Sequence, residues 1–256
     1  KEEELELTVE AEANQYIPFA LDEVNLDFQI LGPAPNNPDE VEVLIAASRK
    51  EKVEDRVAIA EAAGLRPAVM DVESYATQEA FGMIAPSLPA NGRDQNVAFV
   101  DIGAHVTHFY VLRNGQFLFS RDQAFGGNQL TMDIQRAFNL SPEEAEAAKK
   151  NQGLPENYDN DVLQPFMETL ALEITRALQF FFTSTTHNQV DQIVLAGGCA
   201  LLPGLDELVA KRASVSTVVG NPFASMQVSD RIRPRQLAQD APLLTIATGL
   251  ALRSFE

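Results

Sequence analysis

The chain has 256 residues, of which 45% are hydrophobic, so it can bury a sizeable core as one large bilobal unit or as two modest domains. It carries 19 basic residues against 37 acidic ones, and the net charge of −18 disfavours binding to nucleic acid or directly to an anionic membrane surface. The single cysteine, Cys199, excludes an internal disulfide and suits a reducing compartment.

The start of the chain and its uncharged stretches bear on membrane association. The chain opens on Lys1 and three glutamates, without a methionine and without the basic-then-apolar order of a signal peptide. We therefore expect a segment of a longer protein. The uncharged run over residues 241–252 is shorter than the roughly 20 residues needed to span a bilayer, so we expect no membrane-spanning helix.

The first 47 residues predict a helix followed by a hairpin. Apolar residues recur at three- and four-residue spacing over 5–16 and predict an acidic surface helix that Pro18 ends. Alternation over 25–30 predicts a half-buried strand. Regular structure breaks over the Gly- and Pro-rich stretch 32–38 and resumes over 41–47, which predicts a hairpin with a long loop.

The next segment predicts a helix, a strand and a second helix. The helix over 50–63 ends at Gly64, a residue suited to the left-handed position after a helix. A strand over 68–72 leading into a helix near Ser74 gives a β-α-β order that favours a parallel pair of strands. The short, proline-containing stretch 86–94 predicts a loop between two lobes.

The second lobe begins with three strands in antiparallel order, because Asn114-Gly115 fits a type I′ hairpin turn. The predicted strands cover 97–102, 107–112 and 116–120. Helices are predicted over 130–138, 142–150, 162–181, 205–212 and 242–253, with a short buried strand over 193–195. The last helix is expected to pack back on the core, and Phe180 to Phe182 are interpreted as core residues.

A phosphate-binding turn is a candidate at the end of the first of these strands. Asp101 ends the strand and Gly103 opens a tight turn, so the turn can present backbone N–H groups to an anion while the carboxylate orients a hydrated divalent cation. A plain hairpin whose Asp holds its turn explains the same residues. His105 and His108 are predicted to point to opposite sides of the sheet, which makes a metal site between them improbable.

Two glycine pairs and one charged pair are further candidates. Gly126-Gly127 precedes a helix whose N–H groups would attract negative charge, although glycine pairs are common in turns. Glu146 and Lys149 lie three apart on one helix face, where they could bond ribose hydroxyls or form a solvated ion pair. Gly197-Gly198 follows a strand and allows either a ligand or a helix to approach closely. Cys199 beside it is interpreted as a packed side chain.

The order of these motifs resembles the actin-like ATPase superfamily, whose two lobes clasp a nucleotide. More closely, the chain is similar over essentially its whole length to the PilM family of cytoplasmic actin-like proteins of type IV pilus assembly. The residues that carry this resemblance are Asn14 to Pro18, Phe125 to Thr131, Ala148 to Lys150, Leu178 to Phe182, Leu195 to Gly198, Asn221 to Ala224 and Gly249 to Phe255.

The resemblance implies an α/β, ribonuclease H-like, two-lobed fold with mixed sheets, an incomplete N-terminal lobe, and an ATP or ADP site with Mg²⁺ at Asp101. The implied phosphate loop falls on Asp101, Gly103 and Thr107. The implied nucleoside contacts are Gly126, Gly127, Glu146, Lys149, Gly197 and Gly198, with Asn221 and Phe223 as weaker candidates beside the adenine.

The sequence departs from the family pattern in two places. Family members open with a strand-turn-strand carrying a first phosphate loop, and nothing before Lys1 supplies it here. Ala104 to Val106 replaces a Gly- and Thr-rich centre, which leaves fewer donors for a γ-phosphate. These departures predict at most slow ATP hydrolysis.

The resemblance also implies a domain order and partners. An FtsA-like extra subdomain is expected over 1–47, the rest of the first lobe over 48–90, the nucleotide-binding lobe over 91–240 and a helix returning to the first lobe over 241–256. A groove beside the extra subdomain is expected to bind the cytosolic N-terminal segment of PilN. Other pilus inner-membrane and motor components are further expected partners, so the protein would be cytoplasmic and reach the inner membrane through proteins and not through lipid.

Three functions from different classes remain open at this point. A nucleotide-dependent assembly protein is favoured by the ordered motifs. A nucleotide-free scaffold of the same fold would keep the architecture without the ligand. A small-molecule kinase is disfavoured, because the sequence offers no obvious second acid beside Asp101.

Overall fold

The structure is a computed structural model of the chain, and it describes residues 2–34, 37–151 and 153–253. The chain divides into two compact units, Lys1–Val72 and Glu73–Glu256. The first unit contains a two-stranded sheet and the second a five-stranded sheet. The predicted domain boundaries at residues 47, 90 and 240 stay predictions.

The first unit is a helix, a hairpin and a second helix, as predicted. Its elements are α1 (Glu2–Tyr16), β1 (Val24–Ala34), β2 (Asn37–Arg49) and α2 (Lys50–Ala62). The two strands pair antiparallel from Val24 opposite Arg49 to Ala34 opposite Asn37. Gly64 follows α2 with φ of +76°, so the predicted left-handed residue after this helix is confirmed.

The hairpin connection is shorter than predicted. Gly32 to Ala34 and the residues from Asn37 onward belong to the strands, whereas we expected a loop over 32–38. Register shifts after Ile30 and after Pro33 accommodate the glycine and the proline without ending the pairing, as β-bulges do. Residues 35 and 36, also part of the predicted loop, lie outside the described residues.

The predicted strand over 68–72 is wrong, and so is the parallel pair built on it. This segment is irregular in the structure, and Val69 and Met70 are each 46% exposed. A strand needs a neighbour for its N–H and C=O groups, and none of the described strands runs beside this segment. A short, mostly apolar run is therefore not sufficient to form a strand here.

The second unit surrounds a mixed sheet with helices. Its elements are α3 (Glu73–Ile84), β3 (Asn96–Ile102), β4 (Thr107–Arg113), β5 (Gln116–Gln123), α4 (Gly127–Phe138), α5 (Pro142–Asn151), α6 (Gln164–Ser184), β6 (Gln192–Ala196), α7 (Leu205–Ala213), β7 (Ser216–Val219), α8 (Pro234–Asp240) and α9 (Thr245–Leu252). The strand order is β5-β4-β3-β6-β7, with β3, β6 and β7 parallel to one another. The predicted α/β fold class with mixed sheets is confirmed.

The three predicted antiparallel strands and their turn are confirmed. Asn114 and Gly115 have φ of 51° and 77°, which is the left-handed conformation that a type I′ turn requires. The short strand β7 and the seven-residue helix α8 are not predicted by the sequence, because each is too brief to show a clear apolar period.

The two faces of the large sheet bury different residues. Val100 and Ile102 of β3 pack in a core that α4, α6 and α7 complete, whereas Val97 and Phe99 pack with residues of α3. Asp101 shares the parity of Val97 and Phe99, so it belongs to the α3 face of the sheet.

The aromatic run in α6 is only partly core. Phe181 is fully buried, as predicted, but Phe180 is 47% exposed. The guanidinium group of Arg121 lies over the Phe180 ring at 4.2 Å from its centroid, which covers the outer face of this side chain. None of the described helices is long and apolar enough to cross a membrane.

Candidate nucleotide site

The carboxyl ends of three parallel strands meet at one edge of the large sheet. Asp101 of β3 pairs with Ala196 of β6, and Leu195 pairs with Val219 of β7. Gly197 directly follows β6. In open α/β sheets, ligands bind at this carboxyl edge, outside the ends of the strands. The fold therefore places Asp101 and Gly197-Gly198 at the same edge of the sheet.

Gly197 sits where no side chain fits. Its φ is +79°, and a Cβ atom there would overlap the carbonyl oxygen of Ile102 and lie 2.5 Å from Asp101 Oδ1. The Gly197 N–H donates to the carbonyl of Pro242 at 3.0 Å, which ties this strand exit to the segment before α9. The glycine thus brings the ends of β3 and β6 into direct contact.

The glycine pair before α4 meets the turn after β3. The N–H groups of Gly127 and Asn128 donate to the carbonyls of Gly103 and Ala104 at 2.9 Å and 2.7 Å. A Cβ at Gly126 would meet the same two carbonyls at 2.5 Å and 2.7 Å. The expectation of open amides at this helix start is therefore wrong for two of them, because the turn occupies them.

The turn itself keeps its outer amides open. The Gly103 N–H donates to the carbonyl of Val106 at 3.0 Å and closes the turn. The N–H groups of Ala104, His105 and Val106 donate to no protein acceptor in the described part of the chain, and Ala104 and His105 are exposed. These three amides can still donate hydrogen bonds to a phosphate oxygen, as the sequence predicts for this turn.

Thr107 has a different contact from the one implied. Its side chain is 5% exposed, and its hydroxyl donates to the carbonyl of Phe125 at 2.7 Å. The hydroxyl therefore anchors the start of β4 to the chain entering the Gly126-Gly127 pair. The Thr107 hydroxyl thus stabilises the backbone of the site, and its proton is not directed at a ligand.

Asp101 is a buried carboxyl group with a perturbed acidity. The residue is 9% exposed, and burial raises the pKa of its carboxyl from 3.8 to about 6. His108 lowers this pKa and Glu73 raises it, by their charges. A buried carboxyl with a raised pKa at a ligand edge is typical of functional sites, and a bound cation would favour its ionised form.

The sequence did not identify the neighbours of Asp101. His108 lies directly opposite it on β4, and His108 Nδ1 is 2.7 Å from Asp122 Oδ1 on β5. His108 Nε2 is 3.9 Å from Glu73 Oε1 in the first turn of α3. Strand pairing could have predicted that His108 and Asp122 are neighbours, but no local signal indicates Glu73, the second acid that the sequence does not reveal.

The Glu146–Lys149 pair is anchored to α4. Lys149 Nζ lies 2.6 Å from Glu146 Oε2 and 2.8 Å from Thr131 Oγ1. The Thr131 hydroxyl donates to Glu146 Oε2 at 3.0 Å. The hydrogen bond from Lys149 is the main reason that the pKa of Glu146 falls to about 2, and bonds from Thr131 and Lys150 lower it further against the effect of burial.

This charged network lies beside the glycine segments. A Cβ on Gly127 would be 2.9 Å from Cys199 Sγ. Burial raises the pKa of the Cys199 thiol to about 11, and the charge of Lys149 acts on the thiol in the opposite direction. The interpretation of Cys199 as a packed side chain is confirmed by its burial, and its thiol packs against Gly127.

The remaining predicted site residues are Asn221, Phe223 and Gly198. They lie at the same edge of the sheet, with weaker contacts to the segments around Asp101 and Gly126-Gly127. The Gly220 N–H donates to the carbonyl of Leu195, so the chain leaving β7 begins beside β6. Asn221 Oδ1 then accepts from the Phe223 N–H at 2.9 Å and holds its own turn. A Cβ at Gly198 would be 3.3 Å from Leu243 Cδ2, a contact that a flexible side chain can relieve.

The site fits a magnesium nucleotide better than a free cation. Within the described residues, no group of three or more His, Cys, Asp or Glu side chains could hold a metal ion. Mg²⁺ usually takes one or two protein carboxylates and completes its shell with water and phosphate oxygens. Asp101 beside the open amides of the turn matches that requirement.

Comparisons with known proteins give the class of the fold. The structure of a PilM-PilN type IV pilus biogenesis complex matches with a TM-score of 0.78 and 33% identity, covering 98% of this chain and 72% of that one. Ethanolamine utilization protein EutJ from Carboxydothermus hydrogenoformans matches with a TM-score of 0.58 and 21% identity, over 81% of this chain and 62% of that one. Together with the site, these matches define an actin-like protein.

The sequence comparisons give the family. The family described as Type IV pilus assembly protein PilM matches residues 1–255, and the chain belongs to this family. EutJ of Escherichia coli K12 is 28% identical over 117 residues, which cover 46% of this chain and 38% of EutJ. The chain thus spans less than half the length of this curated relative.

Proposed function

We propose that this chain is the nucleotide-binding part of a cytoplasmic actin-like protein that assembles type IV pili at the inner membrane through protein partners. The observation that carries the proposal is the convergence of Asp101 with the glycine segments at 103, 126–127 and 197–198 on one sheet edge. Membership of the PilM family supplies the biological setting.

Each part of the site has a distinct role in this proposal. Asp101 orients a hydrated Mg²⁺, which supplies charge neutralisation for the phosphates. The open amides of residues 104–106 donate hydrogen bonds to phosphate oxygens. Glu146 and Lys149 bond the ribose hydroxyls, and the glycines let the nucleotide approach the backbone closely. Asn221 and Phe223 lie beside the adenine in this arrangement and contribute least.

The same geometry argues for slow hydrolysis or none. The first-turn amides of Gly127 and Asn128 already donate to the turn, and the Thr107 hydroxyl donates to Phe125. Few donors are then left for the charge that develops on a transferring phosphoryl group. This observation also favours the second candidate function, a scaffold that keeps the fold and does without nucleotide, over a small-molecule kinase.

Nucleotide binding is tested by a thermal shift with Mg-ATP and Mg-ADP. For ligand at about 100 times its dissociation constant, a stabilisation of about 2.7 kcal/mol is expected. Because this corresponds to a rise of roughly 5–10 °C for a chain of this size, the shift should be easy to measure. Glu146→Gln should reduce it strongly, since the carboxylate that accepts from Thr131 and Lys149 also faces the ribose.

Glu168→Gln is the matched control for this experiment. It removes an exposed carboxylate that pairs with Arg212 at 2.8 Å between α6 and α7, and its nucleotide-induced shift should equal that of the wild type. The scaffold function would replace the proposal if neither nucleotide shifts the wild-type melting temperature. An unchanged shift in Glu146→Gln would remove the proposed ribose contact.

Docking to PilN is the second part of the proposed function. The support is the 33% identity to a chain in a PilM-PilN complex, which covers 98% of this chain. A labelled synthetic peptide of the N-terminal cytosolic segment of PilN from the same source should bind the chain in fluorescence anisotropy. A scrambled peptide of the same composition is the control, because it keeps the charge. Equal binding of both peptides would contradict specific docking.

A further inference from the structure

The turn after β3 carries one polar side chain among its residues with open amides. Ala104 and Val106 are apolar, so only His105 can add a side-chain donor to the backbone donors of this turn. His105 is exposed, and within the part of the chain that the structure describes its ring has no hydrogen-bond, ion-pair or aromatic partner. The imidazole is therefore available to a ligand.

Three main-chain hydrogen bonds hold this turn in place. One closes the turn, from the Gly103 N–H to the carbonyl of Val106 at 3.0 Å. The other two come from the first turn of α4 and end on the carbonyls of Gly103 and Ala104 at 2.9 Å and 2.7 Å. Because the backbone is already ordered, a ligand that accepts a hydrogen bond from His105 orders only the imidazole ring, which limits the entropy lost on binding.

The other side-chain hydroxyls around the turn already have acceptors. The Thr107 hydroxyl donates to the carbonyl of Phe125 at 2.7 Å, and the Thr131 hydroxyl donates to Glu146 at 3.0 Å. An imidazole has at least one N–H donor whether it is neutral or protonated. His105 can therefore supply a phosphate with the side-chain donor that the hydroxyl of Thr107 does not supply.

The position of the turn relative to the ribose contacts indicates which phosphate would lie near His105. Glu146, which binds the ribose in the proposed function, contacts Thr131 of α4. Gly127 is four residues earlier, which places it roughly 6 Å nearer the start of the helix. The turn lies beyond that start, since the Gly127 N–H donates to Gly103. In a nucleotide that extends from Glu146 toward this turn, the phosphates farthest from the ribose lie beside His105.

We propose that the side chain of His105 donates a hydrogen bond to the β- or γ-phosphate and thereby selects nucleoside di- and triphosphates over monophosphates. This inference rests on the proposed function, because it needs a nucleotide at the carboxyl edge. It goes further by assigning the discrimination between nucleotides to one side chain. A monophosphate is too short to meet His105 in this arrangement, so its binding does not depend on the imidazole.

The inference is tested by isothermal titration calorimetry of the 256-residue chain with AMP, ADP and ATP in excess Mg²⁺. His105→Ala should weaken the binding of ADP and ATP about tenfold, the effect of losing a hydrogen bond to a charged group. It should leave the affinity for AMP unchanged. His105→Gln keeps an N–H donor and should restore most of the lost affinity. Because His105 is exposed, both variants should melt like the wild type without nucleotide.

Arg136→Ala is the control for the loss of a basic side chain. Arg136 lies in the last turn of α4, at the opposite end of the helix from the turn, and pairs with Asp133 at 3.6 Å. Its removal should leave all three affinities unchanged. Equal losses for AMP, ADP and ATP in His105→Ala would overturn the inference, because the imidazole would then not distinguish the phosphates.

Two further results separate this inference from the proposed function. A wild type that binds ADP and ATP with the same affinities as His105→Ala, or more weakly, overturns the inference alone, because the ring then contributes nothing or obstructs the phosphates. A wild type that binds none of the three nucleotides overturns the proposed nucleotide site, and the role of His105 fails with it.

Discussion

Replacing Gly249 with alanine should destabilise the chain more than the same replacement at any other glycine whose surroundings the structure describes. A Cβ atom at Gly249 of α9 would overlap the carbonyl oxygen of Ala76 in α3 and lie 2.4 Å from its carbonyl carbon. These atoms belong to the backbone of a helix, so they cannot rotate away. Relief requires the two helices to separate, which opens a buried contact that includes Ala76 and Ala80.

The expected cost is roughly 3 kcal/mol or more, the range of severe overpacking in a core. Gly82→Ala is the matched control, because Gly82 lies in α3 with open space around its Cβ position. In that exposed helical position, alanine should stabilise by up to about 1 kcal/mol. Urea unfolding of both variants measures the difference, and equal stabilities would mean that α3 and α9 do not pack as closely as described.

The Gly249 contact also matters for the site. The Gly197 N–H donates to the carbonyl of Pro242, which lies three residues before α9 begins, and α3 begins with Glu73 near His108. The α3–α9 pair therefore holds two of the elements that shape the carboxyl edge. By loosening the contact between α3 and α9, Gly249→Ala should weaken nucleotide binding as well as lower the stability of the chain. Gly82→Ala should lower neither.

Local patterns were sufficient for most elements of this fold. The two-residue turn Asn114-Gly115 predicts its hairpin because only a left-handed pair of residues fits there. Phe166, Leu170 and Ile174 predict α6 because they recur every four residues, and the structure buries all three. In both cases the residues of the segment itself determine its local structure.

Elements that depend on distant partners could not be predicted. The segment 68–72 has an apolar pattern, but whether it forms a strand depends on a neighbouring strand that the described chain does not provide. The short strand β7 is the reverse case, since its four residues become a strand because β6 pairs with them. Sheet pairing is a tertiary property in both.

The candidate site also has features that the sequence indicates and features that depend on the tertiary structure. Asp101, Gly126-Gly127 and Gly197-Gly198 each have a structural explanation as well, so only their order along the chain and the family resemblance indicate a ligand edge from the sequence. The sequence could not indicate that turn carbonyls occupy the amides of Gly127 and Asn128. It also could not place Glu73 near Asp101, because α3 reaches the sheet only after folding.

Replacing Asp101 with asparagine should stabilise the free chain and remove its response to Mg-nucleotide. Burial raises the pKa of this carboxyl from 3.8 to about 6, so ionisation opposes folding. Below about pH 4 the group is protonated in both folded and unfolded chains and has no net effect. As the pH rises from 4 to 6, the unfolded chain ionises first, and the wild type loses stability relative to the variant.

The stability difference between the variant and the wild type should level off above pH 6 at no more than roughly 3 kcal/mol, because each unit of pKa shift is worth about 1.4 kcal/mol. Urea unfolding at pH 4 and pH 7.5, with and without Mg-ATP, measures both halves of the prediction. Asp94→Asn is the control, since its carboxylate is exposed and pairs with Arg113 at the surface. A wild type that is more stable than Asp101→Asn at pH 7.5 without ligand would contradict the raised pKa. An undiminished Mg-ATP effect in the variant would instead show that Asp101 does not orient the cation, and it would leave the fold-level argument intact.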